Sequence, residues 1–141
     1  MLIDSLECCL LSAKRKGWTT VFIAVDIHDT IVKGNYRTDE LPTDFLPMAK
    51  ETLQMLTKHP NVTLLLYTCS HLPEIEKYFK FFEDNDIHFK YCNENPDVPN
   101  NALGDYTKKM YFNVLLDDKG CFNGKTEWPI IYDYFTNVFK L

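Results

Sequence analysis

The sequence predicts an α/β domain with a mainly parallel central sheet covered on both faces. Three observations carry that prediction. Short all-apolar runs rich in β-branched residues recur along the chain, and amphipathic stretches at helical spacing separate them. The length, 141 residues, suits one core rather than two. Buried runs alternating with helices are the pattern of parallel strands joined by crossover helices.

The chain opens on a helix from Ile3 to Lys16, where Ile3, Leu6, Cys9, Leu10 and Ala13 recur at helical spacing and Gly17 ends the segment. "VFIAV", residues 21 to 25, is apolar on both faces, as a buried parallel strand is. Residues 33 to 47 are polar with Gly and Pro, so a loop. "MAKETLQMLTK" (48–58) is an amphipathic helix with Met48, Thr52, Met55 and Leu56 on one side, and "VTLLLY" (62–67) is a second strand. A helix over 73–85 starts at Pro73 and carries Ile75, Tyr78, Phe79 and Phe82 as one buried stripe, with Phe81 off it and free to meet a partner. "IHFKY" (87–91) is a shorter third strand, 92–106 a loop rich in Asn and Pro, and "FNVLL" (112–116) a fourth strand. Gly120 and Gly124 punctuate a further loop, and "PIIYDYFTNVFK" (129–140) closes the chain as a helix. No repeat, linker or low-complexity tract interrupts it, so residues 1–141 read as a single domain.

The composition narrows the function classes. With 45% apolar and 25% charged residues the chain has the balance of a soluble globular protein rather than a disordered one. A net charge of −5 argues against a nucleic-acid surface built on bulk positive potential. No run of eighteen apolar residues appears, so no membrane span is expected. The first eighteen residues have the wrong charge order for a signal peptide and no small-residue cleavage site. Five cysteines, Cys8, Cys9, Cys69, Cys92 and Cys121, form no CxxC pair and no zinc spacing, which points to free thiols in a reducing cytoplasm.

Ligands of open parallel sheets collect beyond the carboxyl ends of the strands. Three predicted strands end on chemically useful groups: Asp26, Thr68, and the pair Asp117 and Asp118. Lys109 stands just before the fourth strand. Each alone is more often a helix cap, a turn former or a solvated charge. Their joint order says more.

"FIAVDIHDTI", "TLLLYTCS", the lysine of "TKKMYF" and "NVLLDD" follow one another along the chain. In that order the sequence resembles the haloacid-dehalogenase (HAD) superfamily of hydrolases, over about residues 21 to 135. The resemblance implies a three-layer Rossmann-like domain, and the intervals suit a small member without a cap domain. It further implies a Mg²⁺-dependent phosphatase acting through an aspartyl-phosphate on Asp26. Asp26, the peptide carbonyl of His28, and Asp117 would ligate Mg²⁺, with Asp118 either ligating or holding a metal-bound water. Thr68, by its hydroxyl and nearby backbone N–H groups, and Lys109 would hold the phosphoryl group, with Lys108 the competing lysine. The chemistry is coherent, because a carboxylate attacks a phosphate dianion only when a cation neutralises both. Three converging carboxylates likewise need a cation, since like charges raise one another's pKa.

The departure is His28, which stands where the family carries its acid/base aspartate, followed by Asp29 where glycine is usual. An imidazole donates and accepts protons near neutrality, so it is a sensible replacement. Beside Mg²⁺ the imidazolium is disfavoured, which weakens it as an acid and leaves it usable as a base. Three readings stay open: a working acid/base, a slow or restricted enzyme, or a metal- and ligand-binding or interaction protein without turnover. Absence of a cap implies an open site for a phosphorylated substrate that is macromolecular or a nucleotide, or a cap lent by another subunit of an oligomer.

Other candidates have plainer readings. His59, His71 and His88 read as surface or turn residues, with substrate contact the less favoured alternative for His71, which follows Thr68 closely. Cys69 reads as an inert buried thiol, since no paired His or Asn marks a nucleophile. Lys33 and Arg37 read as solvated loop residues, with contact to a substrate anion the less favoured alternative. A signalling receiver domain uses similar groups, but there the acidic pair comes first; here it comes last.

Overall fold

The computed structural model describes residues 2–36 and 40–139. Nearly every element follows the order expected. Helix α1 (Leu2–Lys16) precedes strand β1 (Val21–Val25), helix α2 (Ala49–Lys58) and strand β2 (Val62–Leu66). Helix α3 (Leu72–Asp84), strand β3 (Tyr91–Cys92), strand β4 (Val114–Leu116) and helix α4 (Trp128–Asp133) complete the set. The sheet is four-stranded, all parallel and flanked by helices, in the order β3-β2-β1-β4. The chain moves outward from β1 to β3, then crosses back to lay β4 on the other side of β1. That reversal opens a crevice beyond the carboxyl ends of β1 and β4, the usual place for a ligand.

Side-chain alternation along the strands divides the core in two. Val21, Ile23, Val25, Leu64 and Leu66 point to one face, where Leu6 and Leu10 of α1, Leu53 and Leu56 of α2, Tyr78 and Phe82 of α3, and Trp128 and Ile131 of α4 bury against them. Ala24 and Leu65 point to the other, with Met110 and the half-buried Phe22, Tyr91, Phe112 and Leu115. Among the described residues, no helix contributes to that smaller cluster. The second face is therefore covered in part by the segment leading into β4.

Several boundaries differ from expectation for identifiable reasons. The ladder of β4 starts at Val114 rather than 112 because the side chain of Asn113 takes a backbone role, its amide oxygen accepting from Phe22 N–H at 2.8 Å. In the third strand Ile87 and Phe89 are buried and alternate as a strand does, yet only Tyr91 and Cys92 pair with β2. An edge strand has one neighbour, and its pairing is correspondingly short. In α2 the buried stripe is Ala49, Thr52, Leu53 and Leu56; Met48 instead caps the helix in the left-handed region, at φ 65°. The closing helix becomes a π-helical turn at Tyr134–Val138. Its wider turn buries Tyr134, Phe135 and Phe139 together, and the Tyr134 hydroxyl donates to Leu6 O at 2.9 Å, tying this end to α1. Phe81 does not face outward for a partner but stacks on Phe45, centroids 5.3 Å apart.

Trp128 fastens α4 to the strand-end loop. Fully buried, it donates from Nε1 to Thr30 O at 2.8 Å, while its own carbonyl accepts from Thr52 Oγ1 at 3.3 Å. Gly124 lies against the same point: a Cβ there would sit 2.5 Å from Thr30 O and 2.7 Å from Leu46 Cδ1. Both obstacles are packed, so Gly124→Ala should destabilise the fold by about 1–3 kcal/mol, read as a lower urea midpoint at unchanged slope. An unchanged midpoint would mean that this contact is slack.

Candidate functional site

The site starts where β1 runs out. Asp26 N–H still donates to Leu116 O at 2.9 Å, and Tyr67 N–H to Val25 O at 2.9 Å, so the ladder delivers the two strand ends side by side. Beyond Asp26 the backbone closes a tight turn, with Ile31 N–H and Val32 N–H both donating to Ile27 O. Asp29 takes the left-handed conformation in this turn, φ 59°, which Asp tolerates better than most residues. Its carboxylate accepts from Gly34 N–H at 3.0 Å and from the Tyr36 hydroxyl. Those bonds hold the Asp29 carboxyl below its ordinary pKa, the tyrosine contributing most.

Thr30 joins the two halves of the site. Fully buried, its hydroxyl donates to Asp26 Oδ2 at 3.4 Å, a long bond, and accepts from Asp118 N–H at 3.1 Å. Asp117 caps the short 3₁₀ turn Asp118–Gly120, Oδ1 accepting from Lys119 N–H at 2.9 Å. One carboxylate oxygen from each of Asp26, Asp117 and Asp118 lies within 4.8 Å of the others. The three acids expected to meet do meet.

Their electrostatics follow. Burial, then the charge of Asp117 and of Asp118, pushes Asp26 up to about 7. Asp117 is also raised, by burial first, against the opposing pull of the Lys119 N–H. A group of hard oxygens that resists losing its protons matches a divalent cation such as Mg²⁺, which would cancel the repulsion. The donor set fits the ion.

A cavity of about 650 Å³ opens over this cluster. Its walls carry Asp26, His28, Thr68, Lys108, Asp117 and Asp118. Lys108, not the preferred Lys109, is the lysine on the wall; the segment bends at these residues, and Lys109 does not line the cavity. His71 lines it as well, while Lys33 does not; Arg37 lies outside the described residues. Cys69 is exposed on the cavity rather than buried. None of the five cysteines is paired. His59 packs against Phe135 and Phe139 instead of standing free, and His88 sits at the surface beside Glu83.

Two site features had no forecast. Asn93, at φ 58° just beyond β3, clamps Thr68 in both directions: its Oδ1 accepts from Thr68 N–H and its Nδ2 donates to Thr68 O, each at 2.8 Å. Thr68 N–H is thereby withdrawn from any ligand, and its hydroxyl shares a contact of 2.9 Å with Ser70 Oγ. The second is the partner of His28. Nε2 lies 2.9 Å from the Tyr78 hydroxyl, which also donates to Pro42 O at 3.0 Å. The signal for Asn93 was its place at a strand's carboxyl end; Tyr78 was hidden in a core stripe.

No family model matches the chain, and no curated protein matches it. Among solved structures it is similar to a conserved protein coded by a locus from Bacteroides thetaiotaomicron, at TM-score 0.63 and 24% identity, over 86% of this chain and 99% of that one. What the two share is the fold. Among the described residues, no helix is long and apolar enough to cross a membrane.

The raised pKa of Asp26 has a measurable consequence. Between its ordinary value of 3.8 and about 7, the folded chain binds that proton more tightly than the unfolded chain does. Metal-free stability contributed by this group therefore falls as pH rises through that window. Asp26→Asn should raise the Tm of chelator-treated protein above about pH 7, by about 4 °C for each kcal/mol of repulsion removed. The gain should vanish near the unperturbed carboxyl pKa, about pH 4, and shrink when Mg²⁺ is added. A variant no more stable than wild type in chelator would show that the three charges do not oppose one another.

Proposed function

We propose that the chain is a capless Mg²⁺-dependent phosphohydrolase of HAD type, acting on phosphate esters through an aspartyl-phosphate on Asp26. The single observation that supports this most is the meeting of Asp26, Asp117 and Asp118 within 4.8 Å, beside a cavity that also carries Thr68 and Lys108. Asp26, Asp117 and Asp118 would hold the ion. Mg²⁺, when bound, neutralises the carboxylates and the incoming phosphate dianion.

The chain's own residues divide the remaining work. Asp26 has a side-chain oxygen to direct at phosphorus, while Thr30 steadies its other oxygen and the Asp118 backbone together. The Lys108 ammonium and the Thr68 hydroxyl, both on the cavity wall, would receive phosphoryl oxygens and stabilise charge where it builds up. Asn93 fixes Thr68 from both sides of its peptide. The open mouth, with no inserted cap, suits a phosphoryl group carried on a bulky partner such as a phosphoprotein or a nucleotide. Unpaired thiols suit a cytoplasmic setting.

A second reading, a metal- and phosphate-binding or interaction protein without turnover, draws support from His28, whose Nε2 is engaged by Tyr78 rather than free in the cavity.

An aryl phosphate should be hydrolysed with Mg²⁺ and not after chelation. Asp26→Asn should lower kcat by about 10³-fold or more, and Lys108→Ala by about 10²–10³-fold, whereas Lys109→Ala should stay within about threefold of wild type, as a residue off the cavity does. Wild-type rates in Asp26→Asn would end the covalent mechanism, and metal binding without any turnover would favour the second reading.

A further inference from the structure

Tyr78 belongs to the apolar stripe of α3 and is fully buried, yet its hydroxyl reaches two polar atoms from different parts of the chain. Pro42 O lies at 3.0 Å and His28 Nε2 at 2.9 Å, with the His28 and Tyr78 rings edge to face at 5.5 Å. A phenol has one hydrogen to give. A carbonyl oxygen only accepts, so the contact with Pro42 is satisfied only if the hydrogen points there. The contact with His28 then requires the imidazole to donate, from Nε2–H. The opposite assignment leaves the lone pairs of two oxygens facing each other in a buried place, an arrangement folded proteins avoid.

We propose that Tyr78 is a positioning residue that holds His28 as its Nε2–H tautomer, leaving the ring's lone pair on Nδ1 at the cavity wall. Nδ1 has no hydrogen-bond partner among the described residues, and His28 lines the cavity over the acidic cluster. The consequence for chemistry rests on the hydrolase reading above. His28 in this state accepts a proton and has none to give at Nδ1. When a carboxylate oxygen of Asp26 bonds to phosphorus, the bond to the leaving oxygen breaks and that oxygen keeps the electron pair. It departs unprotonated, so the substrates served are those whose leaving group is stable as an anion: aryl phosphates, acyl phosphates and phosphoric anhydrides. In the second half, a water oxygen bonds to phosphorus as Nδ1 takes its proton. The bond to Asp26 breaks, the pair returns to the carboxylate, and inorganic phosphate leaves; His28 then passes the proton to solvent.

The tautomer is read directly by long-range ¹H–¹⁵N NMR of the full chain at alkaline pH, with the His28 signals identified by their loss in His28→Gln. Expected are a protonated Nε2 and a bare Nδ1 in wild type, and loss of that single pattern in Tyr78→Phe. A bare Nε2 in wild type overturns the proposal without recourse to any variant, as does an unaltered pattern in folded Tyr78→Phe. On the kinetic side, an aryl phosphate should turn over at least about 100-fold faster than an alkyl phosphate, the lower range of a general acid's contribution; equal rates overturn the substrate class. The two readings fail differently. No turnover of any phosphate, with the Nε2–H tautomer present, removes the hydrolase reading and its substrates and leaves the Tyr78 contact standing. Turnover with the wrong tautomer removes Tyr78 and leaves the hydrolase.

Discussion

The buried hydroxyl of Thr30 is the junction on which the site depends. One oxygen atom faces both the first strand's acid and the backbone of the later acidic pair, so residues 26 and 118 share a neighbour that neither can leave cheaply. The carbonyl of the same residue is held by Trp128 and crowded by Gly124, which roots the junction in the main core rather than in a surface loop. Burial of Trp128 and the placement of the acids are therefore one constraint. Packing energy from α4 keeps polar groups together that would otherwise drift apart in water.

That arrangement works against the stability of the chain on its own. Burial, and then the carboxylates gathered at the ends of two adjacent strands, raise Asp26 far above the range of a free side chain. Evolved folds tolerate such local opposition where a site needs it and offset it elsewhere. Here the offset is visible in the continuous cluster that runs from Leu6 through Ile23 and Leu53 to Phe139. The charge character of the site is thus set by the fold itself.

Much of the fold was legible because burial writes itself into residue type. "VFIAV" and "VTLLL" are apolar on both faces and proved to be the two central strands. Their ends at Asp26 and Thr68, and the later Asp117 and Asp118, could be read from the rule that ligands gather at strand tips. Where side chains replaced backbone partners the pattern misled. Asn113 shortened β4, and Asn93, read as an ordinary loop residue, locked Thr68. Periodicity also lacks the resolution to choose between Lys108 and Lys109, which differ only in which way an irregular segment turns. Tyr78 was missed for a different reason: an aromatic on a helical stripe looks the same whether or not its hydroxyl has an appointment across the core.

Asp29 occupies a left-handed position, and its side chain does more than tolerate the geometry. A residue without a side chain there would leave the following strap to wander; this one threads it back, catching the amide of Gly34 and the phenol of Tyr36 beside the mouth. The mouth of the cavity is thus framed from within, by a link a few residues long that belongs to the same turn as Asp26. The rim of the cavity therefore takes part of its shape from bonds made within a few residues of Asp26.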